Sequence, residues 1–152
     1  MLLIDTHNLY SCSMALCQSI IDYRELVEHI CERYNDPFVG KRFAYVASTP
    51  NSRSFCNFLR HQEFIVRSKE IRANKLDNFD VELAMDALIR CGDRRLVICS
   101  SSLNLLPLIQ ELNSNGTSVS VHSIGIPYGI RNACFTEELP RRIIRNEDAL
   151  AI

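Results

Sequence analysis

The chain has 152 residues, a formal net charge of −1 and a mean hydropathy of −0.03, with 47% apolar and 23% charged side chains. Those values fit one domain large enough to bury a core, and they exclude disorder, collagen and a coiled-coil rod. No run approaches the ~18 apolar residues of a membrane span, and no basic segment precedes Met1-Leu2-Leu3-Ile4, so neither a span nor a signal peptide is expected.

The predicted elements alternate along the chain. Leu2-Leu3-Ile4, ending at Asp5, reads as a short buried strand. Tyr10 to Tyr34 holds no Gly or Pro and repeats apolar residues near helical spacing, which fits one long helix or two abutting ones. Asn35-Asp36-Pro37 and Gly40 break it. Phe43 to Ala47 reads as a second strand, Ser54 to His61 as a short helix and Glu63 to Arg67 as a third strand. Asp77 or Asn78 opens a helix running to Cys91, with Gly92 after it. Leu96 to Cys99 is a fourth strand, Leu103 to Asn113 a helix, Ser118 to Val121 a fifth strand and Arg131 to Leu139 a last short helix.

This order defines an α/β domain: one parallel sheet of about five strands, with helices on both faces. It spans residues 1–140, with 141–152 as a polar C-terminal tail. Sheets of this kind place their sites at the carboxyl ends of the strands. Asp5 with Asn8, Ser48 with Thr49, Ser100 with Ser101 and Ser102, and Ser123 fall there.

The charge is uneven. Residues 41–75 carry eight basic and two acidic side chains, whereas residues 1–40 and 76–115 are net acidic. One basic segment in a near-neutral chain suits a local polyanion site, against the plainer reading of scattered solvated charges. The seven cysteines include no C-x-x-C pair, so structural zinc is not expected. Most sit in apolar runs and read as free thiols, which implies a reducing compartment, most simply cytoplasm.

Neither G-x-G-x-x-G nor G-x-x-x-x-G-K-[ST] occurs, and no G-x-S-x-G elbow supports a serine triad. The carboxylates remain. Asp5 follows a buried strand, faces the crevice and needs a cation, a donor or a helix N-terminus; the alternative is a simple N-cap. Asp80 reads either as a second metal carboxylate opposite Asp5 or as a first-turn acid capped from Asp77. Asp86, about 240° further round a regular helix, cannot share Asp80's direction and reads equally as a salt-bridge partner.

Leu3-Ile4-Asp5-Thr6-His7-Asn8 resembles the opening strand and D-x-x-N turn of the NYN domains, within the PIN-like nuclease superfold. Asp80-Val81-Glu82-Leu83-Ala84-Met85-Asp86-Ala87-Leu88 resembles their D-V-x-L-x-x-D-x-L helix, and Lys75 lies near the Lys that usually precedes it. Leu96 to Ile109, Gly116 to Gly125 and Ile130 to Cys134 resemble the later motifs in the right order. The resemblance implies a PIN-like, Rossmannoid sheet and a metal-dependent endoribonuclease. Its catalytic positions fall on Asp5, Asn8, Asp80 and Asp86, and Mg²⁺ or Mn²⁺ would be held by Asp5, Asp80, Ser102 and Asn104. Ser102 and Asn104 stand where the family usually has two aspartates, which weakens the site for a divalent ion.

In that context His7, Arg53, Arg60, Arg67, Lys69, Arg72 and Lys75 are the expected RNA contacts. Phe55, Phe58 and Tyr128 are candidate stacking partners, with core packing as the alternative. A catalytically inactive module that binds RNA or a protein through the same cleft is the second reading. The apolar Cys12–Cys31 stretch and the Ile143-Ile144 pair admit a homodimer.

Overall fold

The computed structural model describes residues 1–73, 77–92 and 95–146. Strands β1 (Leu2–Asp5), β3 (Arg42–Ala47), β4 (Ile65–Lys69), β5 (Arg95–Cys99), β6 (Ser118–Ser123) and β7 (Phe135–Glu138) form a six-stranded sheet in the order β4-β3-β1-β5-β6-β7. Every pairing in it is parallel. Strands β2 (Ser19–Ile21) and β8 (Ile144–Asn146) pair antiparallel as a separate ribbon. The helices are α1 (Thr6–Cys17), α2 (Tyr23–Tyr34), α3 (Ser52–His61), α4 (Asp80–Arg90), α5 (Leu106–Ser114) and α6 (Tyr128–Ala133).

Strand parity divides the core into two layers. Leu2 and Ile4 of β1 pack with Leu9, Leu26, Ile30 and Leu59, from α1, α2 and α3. Leu3 packs on the opposite face with Leu83, Ala87, Ile109 and Ile130, from α4, α5 and α6. Central β1 is buried along its whole length and is apolar up to its last residue, Asp5. By the same parity Asp5 belongs to the α4 face, with Leu3.

The region 10–34 is two helices with a strand between them. Gln18 ends α1 in the left-handed conformation (φ 48°), and Asp22 caps α2 by accepting the backbone N–H groups of Arg24 and Glu25. The last helix stops at Ala133, and Phe135–Glu138, expected as helix, pairs with β6 as an edge strand. The expected polar tail begins inside the fold: Ile143 is fully buried and β8 pairs with β2. Residues 147–152 lie outside the described residues.

The stretches expected at a dimer contact are used in part within the chain. Cys12–Cys31 is divided among α1, β2 and α2, and Ile143 joins the core with Ile144 packed against it. Exposed apolar side chains remain at Leu16 of α1 and on α4, at Val81, Met85, Leu88 and Ile89. Among the cysteines, Cys56 and Cys99 are buried, Cys17 is exposed and the other four are half-buried; all seven are free thiols.

Candidate active site at the carboxyl edge of the sheet

Asp5, Tyr45 and Arg67 are neighbours in register across β1, β3 and β4. Helix α4 lies over this row and presents two carboxylates to it.

Asp5 is 1% exposed and caps α1, its Oδ1 accepting the Asn8 backbone N–H at 2.9 Å. Burial pushes its carboxyl up to about 7, and the nearby Asp80 carboxylate adds to the rise; the backbone N–H groups of Asn8 and His7 and the charge of Lys69 act against it. Asp5 is therefore both a cap and a crevice carboxylate.

Asp80 opens α4 without a side-chain cap on the preceding residue; its own N–H donates to Asn78 Oδ1. Asp77, expected as the cap, instead accepts the Arg72 N–H. The Oδ2 atom of Asp80 accepts from Ser102 Oγ at 2.8 Å and from Asn104 Nδ2 at 2.9 Å. Its Oδ1 is buried with no hydrogen-bond partner among the described residues, as is Glu82 Oε2 two residues on. An orphaned carboxylate oxygen beside a second buried carboxylate fits a hard cation, since a lone buried carboxylate oxygen is costly and oxygen donors suit Mg²⁺ and Mn²⁺.

Ser102 and Asn104 thus stand at the family's acidic positions as donors that hold Asp80. Asn8 does not reach toward Asp5 through its side chain. Its Oδ1 accepts from the Ser101 backbone N–H at 2.9 Å and from Ser101 Oγ at 3.3 Å, tying the turn after β1 to the turn after β5.

The helical turn between Asp80 and Asp86 separates their partners. Asp86 accepts both arms of the Arg67 guanidinium at 2.8 and 3.1 Å, the Tyr45 hydroxyl at 3.0 Å and Arg90 Nε at 3.2 Å. Burial raises its carboxyl, but the Arg67 and Tyr45 hydrogen bonds outweigh that and hold it below the usual range. Asp86, expected among the catalytic residues, has its oxygens engaged by four donor groups from Tyr45, Arg67 and Arg90. Arg67, expected as an RNA contact, forks onto Asp86 and packs over Phe43 while staying partly exposed.

The other basic residues divide. Lys69 pairs with Glu82 at 2.6 Å beside the ring of Phe79, close enough to Asp5 to act on its charge. Arg53, Arg60 and Arg72 are exposed. His7 is half-buried with its ring edge toward Phe79. Lys75 lies outside the described residues. A cleft of about 400 Å³ opens between α1, β3 and α3, lined among others by His7, Tyr10, Tyr23, Thr49 and Phe55. Phe55 stacks on Phe58 and tilts against Tyr23, so it serves core and cleft together, while Tyr128 is exposed.

Tyr45 and Glu82 escape a reading of the sequence. Both sit in segments that read simply as strand and helix, and their partners are remote or in another element.

The chain is thus a doubly wound α/β domain with Asp5 and Asp80 gathered where β1, α4 and the turn after β5 meet. The sequence profile of the NYN domain matches residues 1–139, and the chain belongs to that family. No curated protein matches the sequence. A crystal structure of a protein of unknown function from Vibrio parahaemolyticus is similar over 94% of this chain and 93% of that chain, with a TM-score of 0.82 at 19% identity, and it supports the fold alone.

Proposed function

We propose that this NYN domain is a divalent-metal-dependent ribonuclease with a reduced acidic set. The observation that carries the reading is the meeting of Asp5 and Asp80 in one buried crevice, with Asp80 Oδ1 left without a partner among the described residues. Asp5 and Asp80 would hold Mg²⁺ or Mn²⁺, with Ser102 Oγ and Asn104 Oδ1 available to the ion's water shell. When bound, the ion activates water and offsets the charge that develops on the scissile phosphate. Ser102 and Asn104 fix the Asp80 carboxylate by holding Oδ2, which leaves Oδ1 free of both. Asp86 and Arg67 steady α4 against β3 and β4, and so position Asp80. Arg53, Arg60, Arg72, Lys69 and His7 would hold the RNA backbone, and the cleft beside His7 has aromatic walls for an unstacked base.

The replacement of two carboxylates by donors favours one second reading, an RNA-binding domain that does not cut. One experiment separates the two: incubate labelled single-stranded RNA with Mn²⁺ or Mg²⁺ and compare the native chain with Asp5→Asn and Asp80→Asn. Metal-dependent cutting that falls at least ~100-fold in both variants supports the nuclease. Retained RNA binding with equal inertness in all three proteins supports the second reading.

A further inference from the structure

On the other face of the sheet, away from α4, lies a cluster that the site above does not use. His122 of β6 and Glu137 of β7 are register partners, and Ser120 and His122 point to the face covered by α2. His29 of α2 completes the group. One ligand atom from each of the three residues lies within 4.8 Å of the others.

We propose that His29, His122 and Glu137 form a binding site for a borderline divalent transition-metal ion, with Zn²⁺ as its natural test case.

Three observations support it. First, the donor set is two imidazoles and one carboxylate, a combination that suits zinc better than Mg²⁺. It uses none of the cysteines whose spacing argues against a thiolate site. Second, His122 is fully buried and its Nδ1 has no hydrogen-bond partner among the described residues. Tyr34 accounts for the other ring nitrogen: its hydroxyl donates to Ser120 Oγ at 2.6 Å and lies 2.5 Å from His122 Nε2. The tyrosine oxygen therefore accepts the Nε2 proton, and Nδ1 is left as a bare lone pair. A second shell that fixes the tautomer in this way is what an imidazole ligand needs.

Third, the bare Nδ1 faces Glu137 Oε1 at 3.5 Å, two acceptors opposed without a proton between them. A cation resolves that opposition. Zinc bonds of about 2.0–2.1 Å set tetrahedral ligand edges of about 3.3 Å, close to this separation. The His29 Nε2 to Glu137 Oε1 distance of 2.7 Å must open by roughly 0.6 Å to match. His29 and Glu137 are partly exposed, so an ion can enter from α2's side.

The cluster also carries its own competitor. Arg142 donates to His29 Nδ1 at 2.9 Å, which leaves the proton on Nε2, directed at Glu137. Ligation through Nε2 moves that proton to Nδ1 and dislodges Arg142, with no net proton change at His29. Arg33, 3.4 Å from Glu137 Oε2, also opposes a dication. A bound ion would join α2 to the β6–β7 edge of the sheet.

The test uses the full chain after treatment with a chelator. Zn²⁺ is titrated by calorimetry, and Co²⁺ is used as an optical probe. One equivalent of Zn²⁺ should bind, and Co²⁺ should give tetrahedral visible bands without the near-ultraviolet absorption of thiolate ligation. His29→Gln and Glu137→Gln, both at partly exposed positions, should each weaken binding at least ~10-fold, while Asp80→Asn should leave it unchanged. Arg142→Gln should tighten it about tenfold, an effect that misfolding cannot imitate. Four results would overturn the proposal: zinc binding indifferent to His29 and Glu137, loss only in Asp80→Asn, thiolate bands with Co²⁺, or no gain in Arg142→Gln. The first of these would reduce the cluster to a hydrogen-bonded clamp. Because Asp80→Asn is the control, the outcome does not depend on whether the chain cuts RNA.

Discussion

Asn8 and Ser101 are joined by the hydrogen bond from the Ser101 backbone N–H to Asn8 Oδ1, 2.9 Å long and spanning 93 residues of sequence. It links the turns that follow two adjacent central strands, and the crevice opens above it. Asn8→Ala leaves a buried N–H without an acceptor and should lower stability by about 1–2 kcal/mol. Asn8→Asp, which keeps an acceptor at that place, should recover most of the loss. Urea unfolding of the three proteins measures this; equal losses in both variants would show that the bond contributes little.

Asp5 gives a pH signature. Its folded pKa, about 7, lies above the ordinary 3.8. The stabilisation from holding that proton is complete below pH 3.8 and is lost as pH rises through 7. With a chelator present, Asp5→Asn should therefore match the native chain near pH 4 and exceed it by about 2–4 kcal/mol at pH 8. Asparagine also keeps the cap on α1. The check is thermal melting across that range; a pH-independent difference would contradict the raised pKa.

Asp86 has the opposite sign. Its carboxyl is held below the ordinary 3.8 by Arg67 and Tyr45, despite burial. Its contribution is present above 3.8 and is lost as pH falls through the lower folded value. Asp86→Asn should cost roughly 2–3 kcal/mol at pH 7, reduced from the value for a fully buried pair because Arg67 is 37% exposed. The cost should shrink in acid, as read from chemical denaturation at pH 7 and pH 3.

Ser102→Asp together with Asn104→Asp should convert the donors on Asp80 into a larger acidic set. The metal-free protein should lose about 1–3 kcal/mol, because Asp80 exchanges two hydrogen bonds for like charge. Mn²⁺ affinity should rise at least ~10-fold. Paired melting curves with and without Mn²⁺ report both effects. An increase in metal-dependent RNA cleavage would follow if the proposed function holds.

Much of the fold was legible because its strands carry their own punctuation. Leu2-Leu3-Ile4 and Leu96 to Cys99 are short apolar runs, each followed by polar residues, and both are central parallel strands. Local pattern fails where tertiary pairing decides. Gln18 adopts a left-handed turn with no glycine to announce it. Phe135-Thr136-Glu137-Glu138 looks as suited to a helix as to a strand until β6 supplies the partner. In the site, the angular separation of Asp80 from Asp86 follows from helical geometry alone. That Asp86 would meet Tyr45, 41 residues away, depends on sheet register, which no single segment encodes. The cluster of His29, His122 and Glu137 was hidden for the same reason.

The position of β1 bears on how the molecule forms. It leaves the ribosome before the other strands, yet it lies between β3 and β5, so both of its neighbours are synthesised later. Until residues 95–99 emerge, Leu2 to Ile4 have an open hydrogen-bonding edge and no second neighbour to cover it. The earliest segment thus waits for contacts nearly a hundred residues distant, which makes folding slow and cooperative. A nascent chain arrested before β5 would be an aggregation-prone species rather than a smaller native one.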